Sequence, residues 1–222
     1  MYGIYWDCDG TIMDTEKSYA YAWKDFLSSK GLDLPIEEFD KFVGIDDRIV
    51  HAEFSQIVEL DNFDSTMDEL HKIMRVEFSE KILFKDSLQC LKEFHGDVLQ
   101  ACVSASPKEV LNFKLQDAKI INYFDHVIGG NEVSNNKPSP DIYLKAIDEL
   151  GTTKNIIVED SPTGILSGKE SNNFVIAVDR GMFTKDQLSN ADLIVKELDL
   201  SLIHISEPTR LRRISYAVFC LK

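Results

Sequence analysis

Short apolar runs alternate with amphipathic helical segments over most of the chain. Residues 2–7 read YGIYWD, a run rich in aromatic and β-branched residues, and Asp9-Gly10 follows as a turn signal. Further strands are predicted at 98–103, 126–128, 156–158, 174–178 and 193–195, with helices at 107–118, 141–150 and 162–171. This order predicts an α/β fold, a Rossmann-like parallel sheet whose crossovers are right-handed.

A long helical stretch separates the first strand from the others. Between about residue 14 and residue 80, apolar side chains recur at three-to-four spacing, as at Tyr19, Trp23 and Phe26, and strand signals are few. We therefore predict a helical cap over residues 15–81, inserted after the first strand. The α/β core then consists of residues 1–14 and 82–199.

The segment 200–222 differs in composition from the rest. Residues 201–222 contain one acid and four bases, whereas the whole chain has a formal net charge of -14. The string SLIHISEPTR, followed by ISYAVFCL, resembles the conceptual translation of a sequencing-library adaptor. We expect a non-native, adaptor-derived tail here, with an ordinary amphipathic helix as the alternative, and we assign no function to it. Native codons recovered with independent primers would refute the adaptor origin.

Composition narrows the class of protein. The acidic balance argues against a nucleic-acid partner, because such binding relies on clustered Lys and Arg. The four cysteines show no CxxC pair and no zinc-like spacing, and no run approaches the roughly 18 apolar residues of a membrane span. Met1 leads directly into a strand without a signal-like segment. We expect a cytoplasmic protein without membrane contact, a monomer or weak homodimer.

The strongest chemical signal is Asp7-Cys8-Asp9-Gly10-Thr11 at the carboxyl end of the first strand, where open α/β sheets bind ligands. Asp7 and Asp9 lean toward the same side of an extended chain, and their mutual repulsion favours a bound cation. With Mg²⁺, Asp7 can attack phosphorus while Asp9 protonates the leaving oxygen and later activates water. Gly10 frees the turn and Thr11 can donate to a phosphoryl group. The alternative is a turn that merely ends the strand.

Three later segments supply complementary groups at strand ends. Ser104 precedes Ala105-Ser106 and a predicted helix, an arrangement that can cradle an anion or simply cap the helix. Lys137 lies before two prolines and can present a fixed positive charge to phosphate and Asp7. Glu159 and Asp160 follow another strand; one acid suffices as a helix cap, which leaves the other for a hard cation.

Together these four segments resemble the motifs of the haloacid dehalogenase-like hydrolase superfamily, in the branch with a helical cap that includes β-phosphoglucomutase and phosphoglycolate phosphatase. The resemblance covers residues 2–199. It implies Asp7 as nucleophile, Asp9 as general acid/base, and Ser104 and Lys137 as phosphoryl binders. It further implies Asp160 as a Mg²⁺ ligand supported by Glu159, with the Asp9 backbone carbonyl as another ligand.

The expected function is a Mg²⁺-dependent phosphatase that acts on a small phosphorylated metabolite, of sugar phosphate or phosphoglycolate type, through an aspartyl-phosphate. A sugar phosphomutase is the alternative, although Tyr19 stands where the β-phosphoglucomutase-like pattern has His. In the cap, Gly44 and Arg48 are candidate substrate contacts, and Arg48 could equally be a solvated helix residue. Readings from other classes are a phospho-accepting receiver module, which is shorter and lacks a cap, and an inactive binding protein.

Overall fold

The computed structural model describes residues 1–42, 47–77 and 82–198. In these ranges six strands form one parallel sheet. They are β1 Tyr2–Trp6, β2 Leu99–Ser104, β3 His126–Gly129, β4 Lys154–Glu159, β5 Phe174–Val178 and β6 Leu193–Val195. The strand order is β3-β2-β1-β4-β5-β6. From β1, the chain first adds β2 and β3 on one side, and then adds β4, β5 and β6 on the other side.

Helices fill the connections between the strands. They are α1 Thr15–Ser29, α2 Asp47–Phe54, α3 Phe63–Glu77, α4 Lys85–Phe94, α5 Lys108–Asp117, α6 Asp141–Leu150 and α7 Pro162–Glu170. Short 3₁₀ helices cover Ile36–Phe42, Ile121–Tyr123 and Gly130–Glu132. Among the described residues, no helix combines the length and hydropathy needed to cross a bilayer.

Alternate residues of β1 belong to different hydrophobic cores, because successive side chains of a strand point to opposite faces. Ile4 and Trp6 pack on one face with Leu91 from α4 and Leu115 from α5. Tyr5 packs on the other face with a second cluster, which includes Tyr143, Ala146 and Ile165. With both faces covered, β1 is buried along most of its length and gives the residues after it a rigid base.

The helices between β1 and α4 have an apolar cluster of their own. Trp23, Phe26, Phe54 and Leu70 are fully or almost fully buried in it. The chain leaves and re-enters the α/β part side by side: Met13 pairs with Leu83 in an antiparallel bridge. The Asp14 amide donates to the Ile82 carbonyl at 2.8 Å, and the Phe84 amide to Ile12 at 3.0 Å.

The predicted parallel α/β fold is confirmed. Helix α4 was not predicted, although Leu91 and Phe94 face the core at helical spacing. The strand predicted at 156–158 extends over Lys154–Glu159, and that predicted from residue 98 begins at Leu99. The boundaries of the cap and the core remain predictions, and the suspected tail lies outside the described residues.

Candidate active site

The functional candidates converge at the carboxyl ends of three neighbouring strands. Asp7 follows β1, Ser104 ends β2 and Glu159 ends β4. β1 lies between β2 and β4 in the sheet, and Trp6 is in register with Cys102 and Val158. The strand order reverses at β1, because β2 lies on one side of it and β4 on the other. Such a topological switch point forms a crevice that binds ligands in open α/β folds.

Lys137 forms the centre of the cluster. Its Nζ lies 2.6 Å from Asp7 Oδ1 and 2.6 Å from Glu159 Oε1, and donates to the Val103 carbonyl at 3.1 Å. Asp7 and Glu159 are buried, and the Lys137 side chain is 5% exposed. Burial alone would lower the Lys137 pKa, but the Asp7 and Glu159 carboxylates raise it well above its ordinary value. The Lys137 ammonium therefore carries its charge at neutral pH.

Local hydrogen bonds set the position of Lys137. Asn136 Oδ1 accepts from the Lys137 amide at 2.8 Å, and Asn136 Nδ2 donates to the Ala105 carbonyl at 3.0 Å. The Tyr143 ring lies 5.0 Å from the ammonium. Its hydroxyl donates to Glu159 Oε1 at 2.8 Å, and burial together with Glu159 raises the Tyr143 pKa well above its ordinary value. Tyr143 thus remains a protonated donor.

Both carboxylate oxygens of Glu159 accept several hydrogen bonds, whereas the Asp160 carboxylate accepts few. Glu159 Oε2 accepts from the Asp160 amide at 3.1 Å and from the amide and hydroxyl of Ser161. Ser161, rather than either acid, caps α7 by accepting from the Gly164 amide at 3.1 Å. Asp160 Oδ1 accepts from the Thr11 hydroxyl at 3.3 Å. Neither acid is needed as a helix cap. They differ in role because both oxygens of Glu159 already accept hydrogen bonds from protein groups, whereas Asp160 accepts one from a side chain.

Three carboxylates, from Asp7, Glu159 and Asp160, each place an oxygen within 4.8 Å of the others. Burial and Glu159 raise the Asp7 pKa well above its ordinary value, although Lys137 opposes the shift, and they raise the Asp160 pKa to about 7. When all three ionise, Lys137 neutralises one charge and two remain. A divalent hard cation fits this set of buried oxygen donors in charge and in chemistry.

The Asp9 carboxylate contacts a separate set of donors, which are the Lys114 ammonium and two serine hydroxyls. Its Oδ1 lies 2.5 Å from Lys114 Nζ, while Oδ2 accepts from the hydroxyls of Ser104 and Ser106, each at 3.3 Å. The Ser106 amide donates to Ser104 Oγ at 3.1 Å. The Asp9 side chain is 31% exposed and lies outside the group of three carboxylates. Coordination by the Asp9 carbonyl remains a prediction.

The structure thus brings together Asp7, Asp9, Thr11, Ser104, Ser106, Lys137, Glu159 and Asp160. Gly10 belongs to the same site: at its φ of +83°, an added Cβ would lie 2.0 Å from Asp160 Oδ2. Ala105 contributes its carbonyl as the acceptor for Asn136. Arg48 is exposed, with its guanidinium 5.2 Å from the Phe63 ring centroid, and Gly44 lies outside the described residues. Their roles in substrate contact remain predictions.

The sequence reasoning missed Lys114 and Tyr143. Lys114 lies on α5 between Leu111 and Leu115, on the face buried against the sheet. A lysine in a buried apolar stripe is a signal that could have identified it, since buried lysines require a partner. Tyr143 gives no such signal, because an aromatic residue in the first turn of an amphipathic helix is usually part of the hydrophobic core.

Comparison with known proteins gives consistent matches. The haloacid dehalogenase-like hydrolase family model matches residues 4–178. The fructose-1-phosphate phosphatase of Escherichia coli is 29% identical over 178 residues, covering 75% of this chain and 90% of that protein. A phosphorylated-carbohydrates phosphatase of Thermotoga maritima is 25% identical over 176 residues, covering 77% and 82%.

A solved structure extends the likeness to the fold. The provisionally named β-phosphoglucomutase of Thermotoga maritima superposes with a TM-score of 0.74 at 23% identity, covering 89% of this chain and 95% of its own. At that identity the likeness concerns the fold alone. The family match runs from Ile4 within β1 to the end of β5, so it includes all four segments of the site. This chain therefore belongs to the haloacid dehalogenase-like hydrolase family.

Proposed function

We propose that this protein is a Mg²⁺-dependent phosphatase, which hydrolyses small phosphomonoesters through an aspartyl-phosphate on Asp7. The observation that carries the proposal is the buried Asp7 carboxylate, with Lys137 Nζ at 2.6 Å and two further carboxylates beside it. Burying a carboxylate among other acids costs stability, and such costly groups are concentrated at functional sites. Nucleophilic attack on phosphorus is a use that needs both the acid and the neighbouring positive charge.

Lys137 has two functions in this scheme. Before substrate binds, its charge favours the ionised form of Asp7, and the contact at 2.6 Å orients that carboxyl group. When a phosphoryl group is present, the same ammonium can contact its oxygens and offset the charge that develops during transfer. Ser104 and Thr11 supply hydroxyl donors nearby, and Ser106 and the turn at Gly10 complete the expected phosphoryl cradle.

Asp9 acts as general acid and then as general base. It protonates the leaving oxygen as Asp7 attacks phosphorus, and later removes a proton from the water that hydrolyses the aspartyl-phosphate. Both steps need a carboxyl group that reaches the substrate side, and Asp9 is more exposed than Asp7. Ser104 and Ser106 orient one of its oxygens.

Asp7 and Asp160, with the Asp9 carbonyl, would hold the Mg²⁺ ion. Glu159 already accepts hydrogen bonds on both oxygens, so its part is to orient Lys137 and add negative charge behind the ligands. When bound, Mg²⁺ supplies the positive charge that lets an anionic carboxylate approach an anionic phosphoryl group.

The relatives support a small phosphorylated carbohydrate as substrate. Two of them are named as phosphatases of fructose 1-phosphate and of phosphorylated carbohydrates. We place the sugar under the helical cap, where Gly44 and Arg48 are the candidate contacts. In this proposal the cap selects substrates by shape and limits access of water.

Turnover of p-nitrophenyl phosphate with and without Mg²⁺ tests the proposal. Wild-type protein should release phosphate only with the metal, and Asp7→Asn should be inactive while retaining the wild-type circular dichroism spectrum. Full turnover by Asp7→Asn would refute the proposal. A receiver module would be labelled slowly without turnover. A mutase would convert a sugar phosphate into its isomer instead of releasing phosphate.

A further inference from the structure

Helix α5 directs a lysine into the α/β core. Lys114 shares its buried face with Leu111 and Leu115, and its side chain is 10% exposed. An apolar residue would suit this position if packing were the only requirement. A lysine side chain buried to this extent needs a partner of opposite charge.

That partner is Asp9, at 2.5 Å from Lys114 Nζ to Oδ1. The other oxygen of Asp9 accepts from Ser104 and Ser106, so both carboxylate oxygens are held by groups from β2, the loop after it and α5. Asp9 itself lies in the loop after β1, next to a glycine with positive φ. Without these contacts its side chain would have several rotamers available.

We infer that Lys114 is a positioning residue for Asp9, which holds the carboxyl group in the orientation that general acid–base transfer requires. The inference rests on the proposed phosphatase function. Lys114 acts through Asp9, whereas Lys137 acts on Asp7 and the phosphoryl group. The Lys114 ammonium contacts the Asp9 carboxylate, and the Lys137 ammonium contacts that of Asp7.

Asp9 takes part in two proton transfers of the proposed reaction, and both slow down when its carboxyl group is misplaced. As the Asp7 oxygen bonds to phosphorus, the ester P–O bond breaks, and the departing oxygen keeps the electron pair and takes the Asp9 proton. Water then attacks the same phosphorus, its proton passes to Asp9, and the Asp7–phosphorus bond breaks. A p-nitrophenolate leaves without a proton, so only the second step on that substrate depends on Asp9.

The test compares Lys114→Met with Lys145→Met. Lys145 also lies 2.5 Å from its partner, Glu149, but on the exposed face of α6. For glycerol phosphate, we expect Lys114→Met to lower kcat by about tenfold or more, a part of the roughly 10²–10⁴ that general acid–base catalysis supplies. KM should change by less than about twofold, because ground-state binding is retained.

With p-nitrophenyl phosphate, Lys114→Met should show a burst of nitrophenol followed by slow turnover, and Lys145→Met should match wild type on both substrates. A Lys114→Met variant with normal kcat, or with only a raised KM, would overturn the inference; the latter would make Lys114 a substrate-binding residue. If this variant lacks the wild-type circular dichroism spectrum, Lys114→Gln replaces it, with the same outcomes.

A double-mutant cycle separates positioning of Asp9 from a general effect on the fold. In an Asp9→Asn background, Lys114→Met should lower kcat by less than about twofold, since the residue it acts through is gone. An undiminished loss in that background would contradict the inference. Activity in Asp7→Asn would instead refute the proposed function, so the two failures are distinguishable.

Discussion

Gly10 lies where the loop after β1 passes the side chain of Asp160. Its φ is +83°, and an added Cβ would lie 2.0 Å from Oδ2 and 2.6 Å from Cγ of Asp160. Gly10→Ala should therefore displace Asp160 as well as strain the backbone. We expect the Mg²⁺ concentration for half-maximal turnover to rise at least about tenfold, as when groups that orient metal ligands are changed.

Gly96→Ala is the matched control for Gly10→Ala. Gly96 has a φ of +86°, but nothing lies within 4 Å of an added Cβ. Both variants should lose about 1 kcal/mol of stability from the left-handed backbone. Only Gly10→Ala should alter the Mg²⁺ requirement, and an equal shift in both would exclude crowding of Asp160 as the cause.

Lys137 is the cation nearest to two buried carboxylates. Lys137→Met removes the partner of Asp7 and Glu159 and leaves their charges uncompensated in the interior. The free energy of unfolding in metal-free buffer should fall by about 3 kcal/mol, as when one partner of a buried ion pair is removed. Saturating Mg²⁺ should restore part of this loss, because it neutralises the same carboxylates.

Urea denaturation measures the effect, with Lys145→Met as reference. The Lys145–Glu149 pair is about one-third exposed on each side, so its loss should change the free energy of unfolding far less than the loss of Lys137. If Lys137→Met were as stable as wild type in the absence of metal, the ion-pair account of this cluster would be wrong.

At the scale of elements, Asp86 joins the start of α4 to the end of the described chain. It accepts from Arg180 Nη1 and Nη2 at 2.9 and 3.0 Å, and from the Leu198 amide at 2.9 Å. Arg180 also donates to the Thr11 carbonyl and stacks 3.9 Å from the Phe84 ring centroid. Burial opposes ionisation, but the Arg180 and Leu198 hydrogen bonds prevail and lower the Asp86 pKa.

A carboxyl group whose pKa is depressed by folding stabilises the protein above its unfolded pKa, and this contribution disappears as the pH falls through the folded value. The stability difference between wild type and Asp86→Asn should thus be full at pH 6 and smaller at pH 3. Urea denaturation at both pH values provides the measurement. An equal difference at the two pH values would show that the ionised form of Asp86 is not what stabilises the junction.

The sequence predicts that the functional side chains lie at the carboxyl ends of parallel strands, but not which strands are neighbours or how the side chains pair there. Parallel strands align their carboxyl ends at one edge of the sheet, and the observed strand order then puts Asp7 between Ser104 and Glu159. The contacts between Lys114 and Asp9 depend on the angle at which α5 packs on the sheet, which the hydrophobic pattern leaves open. Likewise, the sequence indicates two adjacent acids, while the structure shows that Glu159 is saturated and Asp160 is not.

At the scale of the whole molecule, a bound divalent ion should stabilise the fold. The chain has a formal net charge of -14, and three of its acids are buried together. A ligand that binds only the folded state at about 100 times its Kd adds about 2.7 kcal/mol to the free energy of unfolding. We expect this gain for Mg²⁺ with wild type and a much smaller one with Asp160→Asn.

The acidic surface calls for two controls in that experiment. Ionic strength is matched with NaCl, since screening of surface charge would otherwise contribute. Asp97→Asn, which removes an exposed carboxylate, should retain the full gain. If Asp160→Asn gained as much as Asp97→Asn, Mg²⁺ would be acting on the surface and not on the buried cluster.

The most direct measurement is to trap the covalent intermediate. Wild-type protein is quenched in acid during turnover of a phosphomonoester with Mg²⁺, and its peptides are mapped by mass spectrometry. The account predicts one added phosphoryl group on the peptide that contains Asp7, localised to that carboxylate, which is absent without metal and in Asp7→Asn. A phosphoryl group on another residue, or none in a protein that turns over with a rate-limiting second step, would contradict it.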